Sequence, residues 1–207
     1  MDSSVFVVRR RQAGSTRRFA GLAYYGAVGA AAALCIGLSL GPRPATRAPA
    51  PQAGRVETGG VFVFGPRALQ HVAVQDARAY VPRTPAGEPK ALRLAKALGV
   101  DAESGGARLA LAPQTAKALA ARPVQVAVRV APLEVTTAEA LEVGLESPQG
   151  TVWRRAPLQA DAARTVTLTF PAAAGGPQAL WLRPAPQAGD YAYGLEIAAI
   201  RLRPLGQ

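Results

Sequence analysis

The chain of 207 residues has very little of the side-chain chemistry on which most catalytic and metal sites depend. It contains one cysteine and one histidine. Cys35, standing alone, excludes an intrachain disulfide, and a single histidine with a single cysteine excludes a zinc site built from those residue types. His71 lies in "QHVAV", where an exposed strand residue is the simplest interpretation. The carboxylates are scattered, with no spacing that demands a shared site. We therefore expect no catalytic residues, no metal and no cofactor in a protein that is not an enzyme.

Acidic residues are also few, at 13 against 24 lysines and arginines, which gives a formal net charge of +11. The excess is uneven, because the first 55 residues carry eight arginines against Asp2 alone. The remaining residues hold 16 basic and 12 acidic side chains. A nucleic-acid-binding body would carry the basic cluster itself. We expect no nucleic-acid partner, since a basic arm beside a membrane is explained by topology and anionic lipid head groups.

Long apolar runs are absent except for one, which extends from Phe19 to Leu40 without a charged residue. As a helix this run would be roughly 33 Å long, close to the ~30 Å hydrocarbon thickness of a bilayer. Five arginines precede the run, and three more widely spaced ones follow it. The arginine excess marks the cytoplasmic flank. We expect residues 1–18 to form a basic cytoplasmic arm and residues 19–40 a single transmembrane helix in the inner (cytoplasmic) membrane.

A cleaved export signal is the alternative, because the basic start and the Ala- and Gly-rich run resemble one. Signal peptides have a shorter apolar core and an A-x-A-like cleavage site. The best triplet, Ala48-Pro49-Ala50, lies well past the run and is followed by Pro51. Both alternatives place the C-terminal body outside the cytoplasm, in the periplasm or beyond.

The retained anchor has one further feature, a series of small residues spaced four apart. Such spacing lets transmembrane helices approach closely and associate. The series consists of Gly29, Ala33, Gly37 and Gly41.

Residues 41–56 are rich in proline and alanine and predict an extended linker. Residues 57–207 then alternate mainly with a period of two, which is typical of half-buried strands. "VQVAVRV" (124–130), "LEVGLE" (141–146) and "RTVTLTF" (164–170) are the clearest examples, and "PQTAKALAARP" (113–123) predicts one short helix. "KALRLAKALG" (90–99) predicts an edge strand or a short helix.

The pattern of spacing also predicts the core. The last strand, "GLEIAAIRLRP" (194–204), changes parity between Ile197 and Ile200, which predicts a bulge near Ala198 and Ala199. Strands separated by turn clusters indicate an all-β sandwich or jelly roll. The residues expected to be buried are Val126, Val128, Leu168, Phe170 and Ile197.

The order of elements from 106 to 204 resembles the galactose-binding-like jelly rolls that serve as carbohydrate-binding modules. The resemblance lies in "RLALAPQTAKALAARPVQVAVRV", "VWRRAPL", "VTLTF", "ALWLRP" and "YGLEIAAIRLRP". It covers about half of the chain and implies that the last strand returns beside an early one to close the sandwich. It implies a fold rather than a ligand.

A glycan-binding surface needs flat aromatic faces beside polar groups, since an aromatic ring offers both apolar area and an oriented π face. In "ALWLRP" the parity separates Trp181 from Leu180 and Leu182, so one of the two sets points away from the core. The alternative is that the tryptophans are core residues and the tyrosines anchor a loop. The candidate ligand-binding residues are Trp181, Trp153, Tyr191, Tyr193, Asp190 and Arg183.

These observations favour a membrane-anchored, extracytoplasmic domain that recognises envelope glycan without catalysis, as an accessory to polysaccharide synthesis or export. The expected partners are the lipid bilayer, glycan and other membrane proteins. The alternative is a structural or assembly subunit of a membrane protein complex, in which the sandwich binds protein rather than sugar.

The anchor assignment predicts the topology of the intact chain. The full-length protein should remain in the membrane fraction, because the apolar run lacks a good cleavage site, and its C-terminus should be digested by protease added outside the inner membrane. Cell fractionation and N-terminal sequencing check both expectations. A mature N-terminus between residues 41 and 56 would contradict the anchor.

Overall fold

In the computed structural model the chain divides into two compact units, Met1–Arg47 and Ala48–Gln207. The structure describes residues 49–96, 105–133, 138–159, 162–185 and 194–206, all of which belong to the second unit. The predicted arm, the predicted transmembrane helix and its small residues lie outside the described residues. Neither helix within the described ranges is long and apolar enough to cross a membrane.

Strands dominate the described part of the chain, as the two-residue alternation predicted. The strands are β1 (Arg55–Glu57), β2 (Val61–Phe64), β3 (Ala73–Gln75), β4 (Ala77–Tyr80), β5 (Leu92–Lys96), β6 (Gly106–Ala110), β7 (Val124–Pro132), β8 (Ala140–Ser147), β9 (Gly150–Pro157), β10 (Arg164–Phe170), β11 (Ala179–Ala185) and β12 (Gly194–Pro204). The helices are α1 (Pro66–Leu69) and α2 (Pro113–Leu119). Only α2 was predicted, because a single turn such as α1 is too short to show helical periodicity.

The described strands form a two-layer all-β sandwich in which every pair of strands is antiparallel. Strand β12 is central to the seven-stranded sheet, where it pairs with β7 along one edge and with β5 and then β2 along the other. β10 extends the sheet beyond β7, β4 extends it beyond β5, and β1 extends it beyond β2. The five-stranded sheet has the order β3-β6-β11-β8-β9. The last strand therefore returns beside the early strand β2, as the resemblance implied.

The predicted bulge is present in β12. The register between β12 and β7 shifts between Ile197 and Ala199. The extra residue lets both halves of the strand, which have opposite parity, face the interior. The buried side chains are Leu195 and Ile197 before the bulge and Ile200 and Leu202 after it, all fully buried.

The core fills the space between the two sheets, and four of the five residues predicted to lie in it are buried. Val126, Val128 and Ile197 have no exposed surface, and Phe170 is 1% exposed. Leu168 is only half-buried and packs against the core from β10. Within the described residues β10 has a neighbouring strand, β7, on one side only, so Leu168 is covered less completely.

Two local expectations differ from the structure. β5 is not an edge strand, because β4 covers its outer edge in the described residues. β4 escaped prediction since "ARAY" offers no strong alternation of apolar and polar side chains. The helix expected over residues 113–123 ends at Leu119, where Ala120 turns extended and Ala121 adopts a φ of 56°.

The domain also begins earlier than residue 57. Gln52 forms an isolated bridge with Leu111, in which its N–H donates to Ala110 at 2.8 Å and its carbonyl accepts from Ala112 at 2.9 Å. Strand β1 follows at Arg55. Strand pairing therefore includes the end of the segment that composition assigns to the linker.

Truncation of Phe170 tests the core. Phe170→Ala should lower the free energy of unfolding by about 3–5 kcal/mol, because it removes a fully buried ring and leaves a cavity. Chemical denaturation of the full-length chain measures the loss. The control is Thr169→Ala, which changes the exposed neighbour on the same strand. Equal midpoints for the two variants would contradict the assignment.

A candidate glycan-binding face

The outer face of the five-stranded sheet, directed away from the core, carries all three of the candidate ligand-binding residues that the structure describes. Along β11, Leu180 and Leu182 are fully buried, whereas Trp181 between them is half-exposed. The same alternation on β8 buries Val143 and leaves Glu142 on the opposite face. The leucines therefore face the core, and Trp181 faces outward.

Strand register brings the two tryptophans into one row across the sheet. Trp181 on β11 pairs with Gly144 on β8, and Gly144 pairs with Trp153 on β9. We call Trp181, Gly144 and Trp153 the tryptophan row. Arg108 on β6 extends the row beyond Trp181. Because neighbouring strands lie about 4.8 Å apart, the two tryptophan backbones are roughly 10 Å apart.

Trp181 is held by a charged pair that lies beside it. Its indole Nε1 donates a hydrogen bond of 2.7 Å to Glu146 Oε2. Arg108 donates to both oxygens of the same carboxylate, from Nε at 2.9 Å and from Nη2 at 2.7 Å. The Arg108 guanidinium carbon lies 6.0 Å from the centre of the Trp181 ring. A forked arginine–carboxylate pair is geometrically specific, so it fixes the edge of the indole.

Trp153 lies over Gly144. A β-carbon at Gly144 would lie 3.0 Å from the ring atoms Cδ2 and Cε2 of Trp153 and 2.9 Å from the Thr151 methyl group. Only glycine leaves room for the ring in this position. The Arg183 guanidinium carbon stands 4.1 Å from the ring centre, within the range of a cation–π interaction. Arg183 Nε also donates to Glu142, so the second tryptophan is ordered by an ion pair too.

The electrostatics of the face keep a carboxylate ionised. The hydrogen bond from Arg108 holds the pKa of Glu146 below its ordinary value of 4.5, against the opposing effect of burial and with help from the Trp181 N–H. An ionised carboxylate accepts hydrogen bonds from hydroxyl groups, and arginine N–H groups donate to oxygen. Half-exposed indole rings flanked by such groups suit a ligand with apolar faces and hydroxylated edges.

The structure brings together three of the six candidate ligand-binding residues. Trp181, Trp153 and Arg183 share the outer face, and neither tryptophan belongs to the core. Asp190, Tyr191 and Tyr193 lie outside the described residues.

Sequence reasoning missed four members of the network, Arg108, Glu142, Gly144 and Glu146. The signal was present in "LEVGLE", where the two glutamates and the glycine share the parity opposite to the inward leucines and valine. What the pattern could not show was the register that aligns Gly144 with the two tryptophans.

A separate hollow of about 500 Å³ opens near α1 and β4. Leu69 and Leu92 contribute to its lining together with the exposed side chains of Val74 and Tyr80. His71 also lines it and is exposed, as expected, but it lies in the turn after α1 rather than in a strand.

Comparison with known proteins finds no matching family model and no matching curated protein. Several solved structures are similar. The xylan-binding domain CBM22-1 of Paenibacillus barcinonensis Xyn10C is 14% identical, with a TM-score of 0.42 over 76% of this chain and 99% of that chain. The CBM22-1–CBM22-2 tandem domain of the same protein is 12% identical, with a TM-score of 0.49 over 76% of this chain and 48% of that one. CsCBM6-3 from Clostridium stercorarium, solved in complex with cellobiose, is 13% identical, with a TM-score of 0.37 over 70% and 93%.

These three solved structures are carbohydrate-binding domains, the kind of domain that the sequence pattern resembles. At 12–14% identity and TM-scores of 0.37–0.49, no ligand or activity is transferred to this chain from them.

The lowered pKa of Glu146 predicts a pH dependence of stability. A depressed pKa in the folded state contributes stability that is present above the unfolded pKa and is lost as pH falls through the folded pKa. The parent should therefore lose more unfolding free energy than Glu146→Gln when the pH is lowered from 7 to below 4.5. Chemical denaturation at stepped pH values measures this difference.

The matched control is Glu139→Gln, which removes an exposed carboxylate just before β8. This variant should keep the acid sensitivity of the parent. If Glu146→Gln and the parent lose equal stability over the acid range, Glu146 is not held by Arg108 in solution.

Proposed function

We propose that the domain is a non-catalytic jelly-roll module that binds glycan on the tryptophan row. One observation carries the proposal: two half-exposed indole rings lie in one row of a sheet face, each beside an arginine–glutamate pair. Sugar rings have apolar faces that pack on indole and hydroxyl groups that hydrogen-bond to charged neighbours. The roughly 10 Å between the two tryptophan backbones, set by two strand spacings, suits a short run of linked sugars better than a single ring.

Trp181 is the stronger of the two contacts in this proposal. Its N–H is bound by Glu146, and the Arg108 guanidinium stands at 6.0 Å from the ring centre. Trp153 already has a guanidinium at 4.1 Å, which occupies more of its surroundings. A sugar can therefore pack on Trp181 with less rearrangement. Glu146 Oε1, which accepts one hydrogen bond from Arg108, can accept a second from a sugar hydroxyl group.

The position of the module relative to the membrane is part of the same proposal. The arginine-flanked apolar run at 19–40 supports a single-pass anchor with the sandwich outside the inner membrane. There the module would bind envelope glycan and assist polysaccharide synthesis or export.

The assembly-subunit alternative keeps one structural observation in its favour. Val74 is 42% exposed and Tyr80 is 64% exposed, and both line the hollow near α1. Exposed apolar side chains around a concave surface are a common feature of protein-binding sites.

Tryptophan substitutions test the glycan proposal. Trp181→Ala should abolish binding on a glycan array and in titration, because a stacking face is lost, while the melting temperature changes by only a few degrees. Trp153→Ala should weaken binding less and destabilise more, since its ring packs on Gly144 and Arg183. The full-length chain serves for both measurements.

Tyr80→Ala provides the aromatic control, because Tyr80 is exposed and belongs to the other sheet. It should leave glycan binding unchanged. Two results would contradict the proposal: a parent that binds no member of a broad array, or melting of both Trp181→Ala and Trp153→Ala far below the parent. The first result would leave the assembly-subunit alternative in its place.

A further inference from the structure

Another concave site lies on the outer face of the seven-stranded sheet, on the side of the sandwich opposite the tryptophan row. It is a hollow of about 240 Å³ formed by β2, β7, β10 and β12. Its lining consists of Val63, Ala127, Arg129, Thr165, Ala199 and Arg201. We call it the arginine hollow.

Two alanines make the hollow. Arg201 pairs with Ala127 across β12 and β7, and Arg129 pairs with Ala199 in the same ladder. The two arginines therefore stand diagonally across the two small residues, with their backbones roughly 7–8 Å apart. The bulge in β12 ends at Ala199. Bulges bend and twist a strand locally and often lie next to binding sites.

The charges in the hollow are weakly compensated. Arg129 is exposed and makes no ion pair with any residue in the described ranges. Arg201 approaches Glu57 at 3.9 Å, which is longer than a hydrogen bond, and its side chain is 61% exposed. Two guanidinium groups thus face solvent above a small apolar floor.

The third polar group is a hydroxyl. Thr165 pairs with Arg129 across β10 and β7, on the same outward face. Guanidinium groups bind carboxylate, sulfate and phosphate oxygens in forked pairs, and a threonine hydroxyl can donate to the same oxygens. The chemistry of the lining is therefore that of an oxyanion receptor.

We propose that the arginine hollow binds the oxyanion substituent of an acidic polysaccharide, such as the carboxylate of a uronic acid. The inference rests on the proposed function, since it specifies the class of glycan, but it uses a different face of the domain. The hollow is concave, with a volume of about 240 Å³. A bilayer surface would instead be met by a protruding basic patch with exposed apolar side chains.

The test compares a charged glycan with its neutral form. Polygalacturonate should bind the full-length parent, and its methyl ester, which lacks the charge, should bind much more weakly. Arg129→Ala should weaken polygalacturonate binding roughly tenfold or more, because charge-assisted hydrogen bonds are lost. Arg129→Lys should recover only part of the affinity, since an ammonium group cannot form the forked pair. Arg201→Ala is the second variant if Arg129→Ala does not fold.

The matched control is Arg122→Ala, which removes the same charge from an exposed position after α2. It should change the affinity less than twofold at physiological salt, where charges beyond about 8 Å are screened. Equal weakening by Arg122→Ala and Arg129→Ala would show general charge attraction and overturn the proposal. Unchanged binding in Arg129→Ala would overturn it as well.

Two further binding measurements define the ligand. Dextran sulfate, with neutral dextran as its reference, tests whether a sulfate substituent is accepted in place of a carboxylate. Sulfate binding that depends on Arg129 supports the oxyanion assignment and widens the substituent. Anionic phospholipid vesicles that bind through Arg129 while polygalacturonate does not would assign the hollow to a membrane surface and overturn the glycan proposal.

Failure here is distinguishable from failure of the proposed function. One outcome is that Trp181→Ala abolishes binding of neutral glycan while Arg129→Ala leaves binding of acidic glycan unchanged. This outcome supports glycan binding on the tryptophan row and rejects oxyanion binding in the arginine hollow. The reverse outcome is a loss of glycan binding in Arg129→Ala alone. It supports oxyanion binding in the arginine hollow and rejects glycan binding on the tryptophan row.

Discussion

Strand β12 is paired along both of its edges, and the rest of the sandwich depends on that double pairing. One edge holds β7, and the other holds β5 and then β2, so strands from the start and the middle of the chain meet on the last one. These contacts are far apart in sequence, which makes their formation slow relative to local structure. The domain can close only after its last strand is available.

The bulge in β12 reconciles this pairing with a continuous core. Without the extra residue near Ala199, a strand that buries Leu195 and Ile197 would turn Ile200 and Leu202 to solvent. With it, both halves face inward, and the outward side acquires a local depression between Arg129 and Arg201. One backbone irregularity thus serves the interior and shapes the surface.

The sequence predicted the strands in which apolar and polar residues alternate clearly, as in residues 124–130. In those strands one face is buried and the other is exposed to solvent. It did not predict β4, whose edge position demands no strong pattern. The site was predicted in part: the parity of Trp181 indicated an outward ring. The alignment of Trp181 with Gly144 and Trp153 depends on register between strands distant in sequence, which no local pattern contains.

The two faces of the domain differ in how their charges are used. On the five-stranded sheet, Arg108 and Arg183 each donate hydrogen bonds to a glutamate. Each also lies beside an indole ring and helps to fix its orientation. On the seven-stranded sheet, Arg129 makes no ion pair within the described residues, and Arg201 approaches a carboxylate, that of Glu57, at 3.9 Å without a hydrogen bond. Both side chains lie open to solvent. A ligand would meet apolar surface on one side of the domain and exposed cations on the other.

The hydrogen bond from Trp181 to Glu146 has a consequence for the thermodynamics of recognition. The Trp181 ring is oriented in the free protein, because its N–H donates to the Glu146 carboxylate, which also accepts two hydrogen bonds from Arg108. Binding then requires little ordering of side chains, a cost of about 0.5–1.5 kcal/mol for each side chain that must be immobilised. Under the proposed function, preorganisation of this kind would let the tryptophan row bind a short sugar chain with little rearrangement of the protein.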